Sequence, residues 1–237
     1  MSGQHMLSFA ALEALVLAGG RPTEGELIRA LRSSACPGRF VEELAGCGWA
    51  IRSQRLLPLL VRHPACPRPF AWEAIPHLGW HDLVEVARYP RTSPPVRRQV
   101  ERRLLDRIPQ LTGGERVALA RRATRGVIVG LLSVPEPGCI RALLDNPQLT
   151  ETDTVRLLTV NESGECLAAV VRHRTWGQSR TVVKTALRQK RLPLGLALGL
   201  LVSLSSRELA ELADSPDVSA RIRVAAAELV AYRSRGA

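Results

Sequence analysis

Aromatic side chains are scarce: Phe, Trp and Tyr together make up 4% of the 237 residues. Strands need aromatic and β-branched residues in alternation, and that alternation is rare here. The scarcity argues against a sandwich or barrel and for helices built on Leu and Ala. Lysine is almost missing too, since only Lys184 and Lys190 stand among 33 basic residues. The five cysteines, Cys36, Cys47, Cys66, Cys139 and Cys166, form no C-x-x-C pair. That spacing argues against a zinc site, and the odd count against a disulfide framework, so buried thiols in a reducing compartment are expected.

Long apolar runs are absent as well. The longest, Leu192–Leu204, is 13 residues, short of the roughly 20 that a bilayer requires. The opening stretch Met6–Gly20 has no basic flank and carries Glu13, so it reads as an amphipathic helix, not a leader. The expectation is a cytoplasmic protein without membrane contact. Catalytic signatures are missing: there is no G-x-S-x-G, no H-E-x-x-H and no phosphate-binding glycine loop. The Gly pair of "LTGGERVAL" reads as a turn into a helix starting near Glu115.

What the chain has in excess is positive charge, +11 overall. The excess is uneven. Residues 1–50 carry four basic and five acidic side chains, for −1. Residues 51–126 carry fifteen and six, for +9, and residues 127–237 carry fourteen and eleven, for +3. Such a field favours acidic partners, nucleic acid first among them.

The chain also resembles itself. Shifted by 126 residues, positions 62–105 match 188–231 without a gap at ten identities, among them Arg62 with Arg188, Pro67 with Pro193, Pro90 with Pro216 and Arg97 with Arg223. We read an internal duplication. A shorter rhythm runs through it: "VRHP", "ARYP", "LDNP" and "ADSP" each end an apolar run and reach Pro64, Pro90, Pro147 and Pro216. The step from Pro64 to Pro90 is 26 residues, and a period in the mid-twenties suits two short helices and a turn. In one such unit Ser93 is expected to cap a helix that Pro94 and Pro95 begin. Val96, Val100, Leu104 and Ile108 then recur every fourth residue as one apolar stripe, and Pro109 closes the helix.

The phrases "RHPACP", "RYPRTSPPVRR" and "DNPQLTETDTVRLL" resemble leucine-rich repeat variant units and, more broadly, HEAT-type α-solenoids. The resemblance covers roughly residues 49–231. It implies an all-α fold, a solenoid of short helical hairpins, with residues 1–48 as an N-terminal helical cap and 49–237 as one continuous array. It also implies binding along a face. Some proteins with the variant repeat carry an N-terminal cysteine cluster for iron–sulfur binding. This chain lacks that cluster, so no cofactor and no metal is expected.

Candidate binding residues follow from the repeat. Arg62, Arg88, Arg121, Arg122, Arg172, Arg188 and Lys190 fall where a helix ends before a turn, with Arg91, Arg125, Arg174 and Arg191 close by. Lined up along one edge they would follow a phosphate backbone. The plainer reading is that cations at helix C-termini complement the helix dipole. The run "VRRQVERRLLDR" adds Arg97, Arg98, Arg102 and Arg103, where a polyanion is expected to touch. A solvated face, with Glu101 and Asp106 compensating Arg97 and Arg102 at i,i+4, also accounts for it. Trp49, Trp72, Trp80 and Trp176 are expected in the core, with Trp80 the one to test for base stacking. His77 and His81 stand four apart, but Gly79 lies between them and no third ligand is evident.

The function expected is a non-enzymatic scaffold presenting a basic edge to nucleic acid or an acidic protein. A DNA glycosylase on a HEAT-like scaffold, using Trp80 and Asp82, is the alternative of another class. A solenoid subunit with a purely protein partner is the third. Oligomeric state stays open.

Overall fold

The structure is a computed structural model that describes residues 8–235. Met6 and Leu7 of the expected opening helix lie outside the described residues. Among the described residues the chain is all-helical, with sixteen α-helices, four short 3-10 turns and no strand. It divides into two compact units, Met1–Gln110 and Leu111–Ala237.

The first unit contains α1 (Phe9–Leu17), α2 (Glu24–Arg32), α3 (Gly38–Gly46), α4 (Leu57–Val61), α5 (Arg68–Ala74), α6 (Trp80–Arg88) and α7 (Pro94–Arg107). Helices pack against the next but one in the chain, α1 on α3, α2 on α4, α4 on α6 and α5 on α7. Each is too short to stand alone in water. Burial of one stripe per helix holds them, and Phe40, Leu57 and Leu83 are fully enclosed. The stripe expected on α7 is present: Val96, Val100, Leu104 and Ile108 are all buried. Ser93 occupies the N-cap of α7, but its side chain makes no capping hydrogen bond; Pro95, at the second helical position, has already removed one of the two donors it would serve.

The second unit contains α8 (Gly113–Arg122), α9 (Arg125–Leu131), α10 (Pro137–Leu144), α11 (Glu151–Val160), α12 (Gly164–Arg172), α13 (Arg180–Leu187), α14 (Leu194–Leu201), α15 (Ser206–Ala213) and α16 (Ala220–Arg235). The same alternate packing joins α8 to α10, α10 to α12, α11 to α13 and α14 to α16. Helix α8 begins two residues earlier than Glu115, because Thr112 and Glu115 form a reciprocal capping box. Thr150 with Asp153 and Ser205 with Glu208 do the same for α11 and α15.

The proline rhythm has a geometric cause. The carbonyls of Ser33, His63, Tyr89, Asn146, Gln189 and Ser215 each accept from the N–H three residues on, at 3.0–3.3 Å. The residue that closes each turn (Cys36, Cys66, Thr92, Leu149, Leu192 or Val218) is buried. Pro64, Pro90, Pro147 and Pro216 take the second position, where a fixed φ suits the turn and no N–H is needed. Residues 33–40 and 63–70 share this turn closely: "ACP" follows in both, then Phe40 and Phe70. The Ser33 hydroxyl and His63 Nδ1 each accept from the N–H two residues on, at 3.2 Å. The turn therefore reaches into the segment expected to be a separate cap. A Cβ on Gly38 would lie 3.0 Å from that of Ala65, which accounts for Gly38.

Helices α4, α5, α6 and α7 correspond to α13, α14, α15 and α16 under the shift of 126 residues. So do their hydrogen bonds. Arg107 donates to the carbonyls of Leu78 (2.7 Å) and Pro76 (3.2 Å). Arg233, its counterpart, donates to those of Leu204 (2.6 Å) and Val202 (2.9 Å).

One close approach gives a direct prediction. Gly177 donates its N–H to the His173 carbonyl at 2.8 Å, and a Cβ there would sit 2.2 Å from the Val171 carbonyl oxygen. Backbone cannot yield as a side chain does, so Gly177→Ala should cost about 2 kcal/mol or more. A thermal melt followed by circular dichroism checks this; an unchanged midpoint would refute it.

Candidate nucleic-acid interface

In the first unit the arginines fall into two groups. One surrounds the turn after α6. Thr92 Oγ1 donates to the carbonyls of Val86 (2.8 Å) and Arg62 (3.3 Å), which ties this turn to the end of α4. Arg97 Nη2 donates to the carbonyls of Tyr89 and Pro90, both at 3.1 Å, and of Thr92 at 3.3 Å. Arg97 is thus a structural clamp for the turn, not the i,i+4 partner of Glu101. Around it, Arg62 lies 4.6 Å over the Tyr89 ring, and Arg88 and Arg91 are exposed. His63 is buried beneath them, and its pKa is lowered, first by desolvation and then by the Arg91 charge. Arg62 and Arg88 also meet the C-terminal ends of α4 and α6, where the helix dipole favours them.

The other group lies on the α5–α7 pair. Arg98 and Arg102 are exposed at i,i+4 on α7, and Arg68 and Trp72 are exposed at i,i+4 on α5. Trp72 is 42% exposed, a large loss of burial for an indole. The shift of 126 residues shows that such positions share a surface: Leu198 and Glu228, the counterparts of Trp72 and Arg102, line one groove. Arg103 is half-buried, and its charge, after desolvation, lowers the pKa of Arg107. Among the described residues Arg62, Arg68, Arg88, Arg91, Arg98 and Arg102 form no ion pair with a carboxylate. Asp106 therefore leaves Arg102 uncompensated.

The second unit treats its arginines differently. Arg125 pairs with Asp153, Arg188 with Asp217 at 2.9 Å and Arg191 with Glu162 at 3.1 Å. Arg125 also donates to the Gln148 carbonyl. Arg121 and Arg122 end α8 and Arg172 ends α12, while Arg174 and Lys190 lie exposed in the following turns. Open charge is thus thinner along this part of the expected edge.

None of the four tryptophans is buried, contrary to the expectation of core packing. Leu, Val, Ile and Ala fill the core, and the indoles are only partly covered. Trp49 sits 4.9 Å under Arg21, and Trp176 donates its Nε1–H to the Leu144 carbonyl at 3.0 Å. Trp80 stacks on His81 with centroids 3.6 Å apart, so a neighbouring ring already covers one face of the indole. Trp72, not Trp80, is the exposed tryptophan.

Among the described residues no group of three His, Cys, Asp or Glu side chains could hold a metal ion. Burial pushes the thiol of Cys36 up to about 11 and those of Cys66 and Cys139 up to about 12, far from a nucleophilic thiolate. No described helix is long and apolar enough to cross a membrane. No family model, no curated protein and no solved structure matches the chain.

The surface groups Arg68, Trp72, Arg98 and Arg102 therefore define the candidate interface. The arginine run of α7 was evident in the sequence, whereas Arg68 was missed. Its signal was available: Arg68 and Trp72 sit four apart, on the helix that follows Pro67.

Proposed function

We propose that the chain is a HEAT-like α-solenoid with a duplicated segment, acting as a non-enzymatic scaffold that binds nucleic acid on the α5–α7 face. One observation carries the reading: an exposed Trp72 accompanied by Arg68, Arg98 and Arg102, none of them in a carboxylate ion pair. An indole offers a stacking platform that any base can use, and the guanidinium groups offer charge to the backbone. Stacking requires an unpaired base, so single strands should bind more tightly than duplexes. The matching hydrogen bonds of Arg107 and Arg233 support the duplication.

The test is fluorescence anisotropy with labelled single- and double-stranded DNA and RNA. Stacking contributes about 1–3 kcal/mol per base, so Trp72→Ala should weaken single-strand binding by roughly 5- to 150-fold. Trp72 is exposed, so the variant should melt as the parent does. Binding that polyglutamate displaces as readily as an oligonucleotide, and that Trp72→Ala leaves unchanged, would favour an acidic protein partner instead.

A further inference from the structure

The two copies of the duplicated segment share backbone and clamps, yet they display opposite chemistry at matching exposed positions. On α5 and α7 these positions hold Arg68, Trp72, Arg98 and Asp106, all exposed. On α14 and α16 the same positions hold Leu194, Leu198, Val224 and Tyr232, and these are exposed too, Tyr232 by 74% and Val224 by 57%. Val202, the counterpart of Pro76, is 67% exposed. The fold does not demand apolar residues at Leu194, Val224 and Tyr232, because the first copy carries charge at those three sites. Leu198, Val202, Leu229 and Tyr232 line a groove of about 320 Å³ between α14 and α16. A continuous apolar surface of this kind marks an interaction site.

Charge decides the occupant. Helix α14 carries no charged side chain. On α16 the stripe that contains Tyr232 also carries Arg221, Glu228 and Arg235, seven residues apart, two helical turns in each step. Glu228 lines the groove itself. Among the described residues neither Arg221 nor Arg235 forms an ion pair with a carboxylate. A twofold pairing of this face, with α16 antiparallel to itself and the axis at Glu228 in the groove, would bring Arg221 against Arg235 and Glu228 against Glu228, like on like at every one of these charged positions. We propose that the α14–α16 groove binds an amphipathic helix of a partner protein, with apolar anchors at i, i+3, i+4 and i+7 and acidic residues toward both of its ends.

The experiment uses the full chain and three labelled synthetic peptides: an amphipathic helix with leucine anchors and glutamate ends, the same peptide with lysine ends, and a scrambled control. The glutamate peptide should bind at least tenfold more tightly than the other two. The double variant Leu198→Glu, Tyr232→Glu should weaken it at least tenfold while nucleic-acid binding stays at the parent level, which separates this proposal from the reading of the α5–α7 face. Both side chains are exposed, and an unchanged melting curve verifies that the variant is folded. Equal binding of the glutamate and lysine peptides, no binding of either, or full binding by the double variant would overturn the proposal. Sedimentation of the chain alone is the second readout. A concentration-dependent dimer abolished by the same variant would overturn it in favour of a second copy of this chain.

Discussion

Asn146→Asp should destabilise the second unit by about 4 kcal/mol at neutral pH, the largest effect expected of any near-isosteric change in the chain. Asn146 is 4% exposed. Its Nδ2 donates to the carbonyls of Ala120 (2.7 Å) and Ala123 (3.0 Å), while its Oδ1 accepts from the Gln148 N–H at 2.8 Å. Aspartate keeps the shape and the acceptor but removes both donors, and it points a carboxylate at two carbonyl oxygens. Each buried group left without its partner costs roughly 1–3 kcal/mol, more where charge is involved. Asn161→Asp should behave alike, because its Nδ2 serves Leu132 and Val134 at 3.2 and 2.9 Å. The introduced carboxyl would have its pKa raised above the unfolded value of about 3.9. The folded variant then holds its proton to higher pH, so the penalty shrinks as pH falls through the raised pKa. Denaturant titrations at pH 7 and pH 4.5 check both claims. A loss under about 1 kcal/mol at pH 7 would refute the first.

The triple variant Arg68→Ser, Arg98→Ser, Arg102→Ser should have the largest effect on binding. Each phosphate contact contributes about 0.7 to the slope of log K against log salt on single strands and about 0.9 on duplexes. Loss of three contacts should flatten the slope by roughly 2–3 and weaken binding about a hundredfold near 0.1 M salt. The control is Arg188→Ser, Arg191→Ser. These two pair with Asp217 and Glu162, so replacing them removes charge that is already neutralised locally, and the slope should scarcely change. Equal effects from both variants would restore the whole helix-end edge as the binding surface. No effect from either would end the polyanion reading.

Much of the helical scaffold could be read from side-chain period and proline placement. The α7 stripe is local in sequence, so Val96, Val100, Leu104 and Ile108 announced themselves. The proline phrases marked real turns for the same reason. The uses of arginine were hidden, because they depend on folded contacts that reach from five to about thirty residues away. Arg97 and Arg98 are neighbours in one run, yet one clamps a turn and the other faces water. Nothing in the run itself distinguishes them. The tryptophans misled for another reason: hydrophobicity favours burial, but α5 turns position 72 outward, where Leu198 also stands exposed in the second copy. The turn at Ser33 was missed because its second position is Ser34 where four of the other five have proline.

The bridges between elements span only a few tens of residues, if distance is counted along the chain. Arg116 to Glu136 spans 20, Asn146 to Ala120 spans 26, Arg107 to Leu78 spans 29 and Trp176 to Leu144 spans 32. None of these contacts has to wait for remote parts of the chain to find each other. Loop-closure entropy grows only with the logarithm of loop length, so each new turn meets a similar and modest barrier as it docks on the one before it. Such local bridging keeps contact order low, which favours fast folding within each unit. Folding could then proceed during synthesis, one turn behind another, before the C-terminal helices have been made.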